Sequence, residues 1–160
     1  MLTPSAYGTD QNVARWYLDE ARQVERNVVD QMTAATSRHE QCERRVKQIQ
    51  LAIESDLFEE LDTDGMDRVR QIAASVRIQY RLLNNLVTGI KPLADLCDET
   101  LTQYLAAERL QQPGRAQQAE DKLKQLLGQV HELAAEATSV YELLQQQTDE
   151  QHSIFERMKR

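Results

Sequence analysis

The chain has 160 residues, of which 28% are charged and 5% are aromatic, and its formal net charge is −7. A negative net charge argues against nucleic acid as a partner, because phosphate binding needs a basic surface. With five glycines and three prolines, and with abundant Gln, Ala, Leu, Glu and Arg, the composition predicts long helices rather than a sheet or a disordered chain.

The first predicted helix runs from about residue 10 to residue 56 and follows a flexible tail, residues 1–9. Its apolar residues recur at steps of three and four, which places them along one stripe of a helix. The step from Val28 to Met32 interrupts this alternation and predicts a stutter, where a supercoil locally unwinds. The stripe consists of Tyr17, Ala21, Val24, Val28, Met32, Ala35, His39, Cys42, Val46, Ile49 and Ile53.

Aromatic residues lie near both ends of this first helix. Trp16 and Tyr17 belong to its first turns, and Phe58 lies in the connector of residues 57–64. Aromatic residues at such ends usually plug the core, but Trp and Tyr also contribute strongly to protein interfaces. We therefore take Trp16 and Phe58 as candidate partner-binding residues.

The second predicted helix runs from about residue 65 to residue 110, with Thr63 or Asp64 as its cap. Pro92 lies inside its pattern, and proline costs about 3 kcal/mol in a helix interior. Since the apolar spacing continues through Pro92, we expect a kink near Val87–Lys91; the alternative is two helices, the second beginning at Pro92. The stripe consists of Val69, Ala73, Val76, Tyr80, Leu83, Val87, Ile90, Ala94, Cys97, Leu101 and Tyr104.

Between residues 81 and 97 the apolar surface of this helix is wider than a single stripe. Leu82, Leu86, Leu93 and Leu96 lie beside the stripe, so that apolar side chains cover about half of the helix. One interpretation is that Leu82 and Leu96 face two sibling helices, since a free monomer rarely exposes so large a patch. The other is that these four leucines bind a partner chain, and we retain them as candidate partner-binding residues.

The third predicted helix runs from about residue 115 to residue 158, after a turn at residues 111–114. Opposite residues 39–49 of helix 1 it carries a polar stretch, residues 145–152. This stretch predicts either a buried polar layer that sets the register of the helices or a groove that a partner helix completes. Folding the chain at its two turns also places Trp16 level with Tyr104, and brings Ile53, Val69 and Phe155 together.

These elements predict an all-α fold in which three long antiparallel helices form an elongated coiled-coil-like bundle. The three helices have nearly equal lengths, and short connectors make consecutive helices antiparallel. Repeated steps of three and four residues are typical of left-handed coiled-coil packing. We expect a single domain over residues 10–160.

Motifs for catalysis or cofactor binding are absent from the sequence. Residues 60–65 resemble the start of a calcium loop, but position twelve is Gln71, which lacks the carboxylate that calcium needs. The three histidines occur in no Glu-x-x-His or His-Glu-x-x-His pattern, and the two cysteines form no CxxC. We therefore expect no enzyme activity, no cofactor and no metal.

The sequence favours a cytoplasmic protein, with the nucleus as the alternative. No apolar run approaches the roughly 20 residues that span a bilayer, and the N-terminus lacks the basic and apolar regions of a secretory signal. The amphipathic helices predict a non-enzymatic structural or adaptor subunit, with other helical chains or a second copy as partners. The alternatives are a helical bundle acting at a lipid surface and a small helical assembly or export chaperone.

Overall fold

A computed structural model of the protein describes residues 10–55 and 62–159. These residues form three helices, α1 (Asp10–Glu54), α2 (Thr63–Arg109) and α3 (Pro113–Met158), and contain no strand. The predicted all-α fold of three long helices that pack as a bundle is therefore confirmed. The predicted tail and Phe58 lie outside the described residues.

Contacts along the chain divide these helices into two compact units. Unit 1 comprises residues 10–29 and 86–137, and unit 2 comprises the described residues of 30–85 and 138–159. Each unit thus contains one segment of every helix. In α1 the boundary between the units falls inside the predicted stutter, between Val28 and Met32. The prediction of a single domain over residues 10–160 stays a prediction.

Unit 2 shows the predicted helix directions through its hydrogen bonds. The hydroxyl oxygens of Thr36 on α1 and Tyr80 on α2 lie 3.1 Å apart. Glu43 comes later than Thr36 along α1, but its partner Arg77 comes earlier than Tyr80 along α2. These two helices are therefore antiparallel. Gln31 binds Thr138 at 3.1 Å and Arg38 binds Asp149 at 2.9 Å, so α1 and α3 run in the same direction within this unit.

The apolar core of unit 2 differs from the prediction at one residue. Val69 and Phe155 pack together as expected, but their partner on α1 is Ile49, and Met66 completes the cluster. Ile53 is 36% exposed, because it lies in the last turn of α1, where the helix ends at Glu54. The placement of Ile53 in this cluster was therefore wrong by one helical turn.

Unit 1 buries its aromatic residues. Trp16 is 7% exposed and Tyr104 is 2% exposed, and the ring of Trp16 meets the ring of Tyr17 edge to face at 5.3 Å. The same unit contains the fully buried Ile90 and Cys97 on the predicted stripe of α2. The stripe predicted on α2 therefore contributes buried residues to the core of this unit.

Helix α2 continues through Pro92 without a break. The alternative of two separate helices meeting at this proline is therefore wrong. Pro92 is exposed, so its ring lies on the solvent side of the helix rather than in the core. The kink near Val87–Lys91 stays a prediction.

The first turns of two helices differ from the predictions. Helix α2 is capped by Asp62, not by Thr63 or Asp64: the Asp62 carboxylate accepts from the backbone N–H of Gly65 at 2.9 Å. Gly65 suits this position, since a β-carbon there would lie 2.5 Å from the Asp62 carboxylate. Helix α3 begins at Pro113, two residues earlier than predicted. Proline suits the first position of a helix, because a backbone N–H there would have no acceptor within the helix.

The turn between α2 and α3 is a Schellman motif. The N–H of Gln112 donates to the carbonyl of Ala107 at 2.9 Å, and the N–H of Gln111 donates to that of Glu108 at 3.1 Å. Gln111 adopts a positive φ of 57°, a conformation that glycine reaches without steric cost. The strain of this turn is therefore carried by a residue with a side chain.

Replacing Gln111 with glycine should stabilise the protein by about 0.5–1 kcal/mol. The substitution removes a left-handed strain of about 1–2 kcal/mol, part of which is offset by the greater freedom of glycine in the unfolded chain. Chemical denaturation measures the change. Gln125→Gly, at an exposed position inside α3, is the matched control and should lower the free energy of unfolding by about 0.5–1 kcal/mol. Equal losses in the two variants would contradict the assignment of the turn.

Candidate functional site

Two residues of the predicted polar stretch of α3, Thr148 and Gln151, are buried and form a polar layer in unit 2. The side chain of Gln151 is fully buried, and its Nε2 donates to the carbonyls of Val69 at 3.0 Å and of Cys42 at 3.4 Å. One amide of α3 thereby connects to the backbones of both α2 and α1. Its Oε1 accepts from Arg45 Nη1 at 3.1 Å, so both ends of the amide are paired.

Arg45 closes the outer side of this polar layer. Besides Gln151, its guanidinium contacts the carbonyl of Thr148 at 3.5 Å and Nδ1 of His152 at 3.1 Å. The buried hydroxyl of Thr148 donates to the carbonyl of Leu144 at 2.7 Å. Throughout the described part of the chain, each buried side-chain nitrogen or oxygen has a hydrogen-bond partner. These contacts favour the interpretation of a layer that sets helix register.

A surface groove of about 530 Å³ lies beside the layer, between α1 and α3 of unit 2. Arg38, Arg45, Tyr141 and His152 are among the side chains that line it. Arg38 is already paired with Asp149, and Arg45 is held by the layer beneath. The groove is therefore a polar surface depression above a filled interior.

The two cysteines are buried and free. Burial raises the pKa of the Cys97 thiol to about 11, and it also raises the pKa of Cys42. Because the thiolate is the reactive form of cysteine, both side chains behave as small core residues rather than as nucleophiles.

The faces that α1 shares with α2 and α3 in unit 2 carry ion pairs. Arg77 Nη2 lies 2.8 Å from Glu43 Oε2, while Arg77 Nε contacts the other carboxylate oxygen, so this pair is bidentate. The hydrogen bond from Arg77 holds the pKa of Glu43 below its usual 4.5, despite partial desolvation. Beside it, the ring of His39 stacks on Tyr80 at 4.6 Å. The charged side chain of Arg77 on α2 is thus directed toward α1.

The Arg77–Glu43 pair predicts a pH dependence of stability. Because the pKa of Glu43 is lowered on folding, its contribution is complete above about pH 4.5 and is lost as the pH falls through the lower folded-state pKa. We expect Glu43→Gln to cost about 0.5 kcal/mol at pH 7, as exposed ion pairs do, and to cost less at pH 3. Urea denaturation at both pH values measures this difference.

Glu40→Gln is the matched control, since Glu40 is an exposed glutamate on the same helix. It should change the free energy of unfolding little at either pH. A cost for Glu43→Gln that is the same at pH 7 and pH 3 would contradict an ionic role for this side chain.

The predicted partner-binding residues differ in exposure. Trp16 is buried in unit 1, and Leu86 and Leu93 of that unit are half-buried. Leu96 of unit 1 is 37% exposed and Leu82 of unit 2 is 45% exposed, so the helices cover neither of these two leucines fully. Phe58 lies outside the described residues. Of the five that the structure describes, Leu82 has the largest exposed fraction.

Leu82 lies on a surface of unit 2 that the sequence alone did not define. Arg68 binds Glu150 at 2.8 Å and Ser75 binds Gln147 at 3.1 Å, and these two pairs mark the face where α2 meets α3. On α2, positions 78 and 82 follow Ser75 by three and seven residues, so they share this face. On α3, positions 143 and 140 precede Gln147 by four and seven residues.

We call the four residues at these positions the α2–α3 strip. Ile78 is 66% exposed, Leu82 is 45% exposed, Leu143 is 41% exposed and Val140 is half-buried. Sequence reasoning missed Ile78 and Leu143, because both lie off the predicted stripes. The available signal was a helical step: Ile78 and Leu82 are four residues apart. The strip is the leading candidate for a binding surface.

Residues 10–55 and 62–159 contain neither a clustered metal site nor a membrane-spanning helix. No group of three or more His, Cys, Asp and Glu side chains is placed there to hold a metal ion. None of the three described helices has an apolar stretch long enough to cross a bilayer. Comparison with family models, with curated proteins and with solved structures finds no match to the chain.

Proposed function

We propose that this protein is a non-enzymatic structural or adaptor subunit, which binds other helical protein chains within a multiprotein assembly. The observation that carries this proposal is the α2–α3 strip, where two large apolar side chains of α2 and one of α3 are each more than 40% exposed. Contiguous exposed apolar surface rimmed by polar residues is typical of protein-binding sites.

The polar layer supports the same proposal by a separate argument. Gln151 and Thr148 find their hydrogen-bond partners within the chain, so unit 2 needs no partner to complete its interior. Exposed apolar residues on such a unit contribute little to its own stability. Their contribution to free energy comes when another surface covers them, at about 25 cal/mol per Å² of apolar area.

A set of three aspartate substitutions tests this function. Leu82→Asp should leave the helical circular dichroism and the melting temperature almost unchanged, because the side chain is already 45% exposed. Ile90→Asp should unfold the protein at a cost above about 4 kcal/mol, because it places an unpaired charge in a fully buried position. Leu51→Asp is the matched control, since Leu51 is an apolar residue of α1 that is 61% exposed.

Affinity purification of the tagged full chain from its native cells, with quantitative mass spectrometry, provides the functional readout. We expect Leu82→Asp to lose proteins that the wild type and Leu51→Asp retain. Recovery of the same set of proteins with the wild type, Leu82→Asp and Leu51→Asp would contradict a binding role for this face. Flotation with anionic lipid vesicles, lost in Leu82→Asp, would favour action at a lipid surface instead.

A further inference from the structure

We infer that the α2–α3 strip binds one amphipathic helix of another protein chain, through a contact face that contains no charged side chain. This inference rests on the proposed function and specifies the partner. It follows from the distribution of charge over unit 2, from the dimensions of the exposed surface and from the arrangement of apolar and neutral polar groups on it.

Charged side chains of α2 and α3 are directed away from the strip. Arg77 of α2 binds Glu43 of α1, and Arg81 is one turn further along the same side of α2. Asp149 of α3 binds Arg38 of α1, and Glu142 precedes Asp149 by two turns on the same side of α3. Arg77 and Asp149 are therefore directed toward α1, whereas the Arg68–Glu150 pair joins α2 and α3 at one end of the strip.

The face that α2 and α3 share is uncharged over about four turns of α2 and about two and a half turns of α3. From residue 71 the outward stripe of α2 follows steps of four and three, and the corresponding stripe of α3 covers residues 139–147. In a chain with 28% charged residues, no ionisable residue occurs on these stripes before the pair Arg68–Glu150 at one end. The stripes consist of Gln71, Ser75, Ile78, Leu82 and Asn85 on α2 and Ser139, Val140, Leu143, Gln146 and Gln147 on α3.

This arrangement matches the anatomy of a protein interface. Depletion of charge at the centre, with a polar rim, distinguishes interface cores from ordinary surface. Ile78, Leu82 and Leu143 form the apolar centre, whereas hydroxyl and amide side chains occupy both ends. A lysine or glutamate of a partner would lose hydration against this surface and would gain no counter-ion.

The dimensions select a helix rather than a folded second copy. Residues 71–85 span about 21 Å at 1.5 Å per residue, and the groove between two packed helices is about 10 Å wide. The footprint is therefore on the order of 200 Å², whereas a stable interface between folded proteins buries about 800 Å² on each side. One helix of about four turns covers this groove with apolar residues at i, i+3 or i+4, and i+7.

Photo-crosslinking in cells tests the identity of the occupant. The photoreactive amino acid p-benzoylphenylalanine replaces Leu82 in the full-length chain, with Leu51 as the control position on α1. After irradiation, mass spectrometry identifies the peptide joined to each position. The inference expects position 82 to capture a segment of another protein that has helical apolar spacing and no charge on its contact face. Helical circular dichroism of each purified variant verifies that the chain has folded.

Three results would overturn the inference: a crosslink from position 82 to a second copy of this chain, a crosslink to lipid, or no crosslink at that position. If position 82 captures nothing while position 51 captures another protein, the proposed function stands and this inference fails. If neither position captures another protein, both fail.

A synthetic peptide of the captured segment then allows a quantitative test with the purified full chain. Leu82→Gln should weaken binding at least tenfold, and Leu51→Gln should leave the affinity unchanged. Since no ion pair crosses the contact, raising the salt concentration from 50 to 500 mM should change the affinity less than about threefold. A steep loss of affinity with salt would contradict the uncharged contact.

Discussion

The buried amide of Gln151 is the interaction on which unit 2 depends. Its Nε2, on α3, donates to backbone carbonyls of α1 and α2, and its Oε1 accepts a hydrogen bond from Arg45. A buried amide costs several kcal/mol when it is unpaired, so a shift of any of the three helices by one residue would be strongly unfavourable. An apolar stripe alone would tolerate a shift by a whole heptad, because equivalent apolar residues would then meet, whereas the paired amide would not. The polar layer therefore restricts unit 2 to a single register, as buried polar positions do in coiled coils.

A single register has a consequence for the surface. Ser75 meets Gln147 only when α2 and α3 have this alignment, and the same alignment brings Leu82 and Leu143 to one face. The proposed binding surface thus depends on the register that the buried polar layer sets between α2 and α3, and neither helix forms it alone. Arg77 and Asp149 bind partners on α1, and the Arg68–Glu150 pair lies at one end of the strip, so the centre of the strip is uncharged.

The sequence predicted the helices and their buried stripes because these depend on backbone periodicity, which is a local property. Helix ends were less predictable: Asp62 caps α2 and Gln111 carries the positive φ, although suitable residues lie close to both. Which residue caps a helix or adopts a positive φ depends on the backbone conformation of one residue, and several neighbouring residues could adopt that conformation. Leu82 was a candidate because it lies in the wide apolar surface of residues 81–97. Ile78 and Leu143 could not be joined to it, because their proximity depends on the register of two helices that are distant in sequence.

Hydrogen exchange of the Gln151 side-chain amide, followed by NMR on the purified full chain, tests the central claim most directly. The claim is that the chain itself closes the polar interior of unit 2, which leaves its surface for partners. Gln146, five residues earlier and exposed, provides the reference within the same sample. The account predicts that the Gln151 amide protons exchange at least about 100-fold more slowly than those of Gln146. Equal exchange rates would contradict it, since they would mean that the layer is open to water and awaits a partner helix.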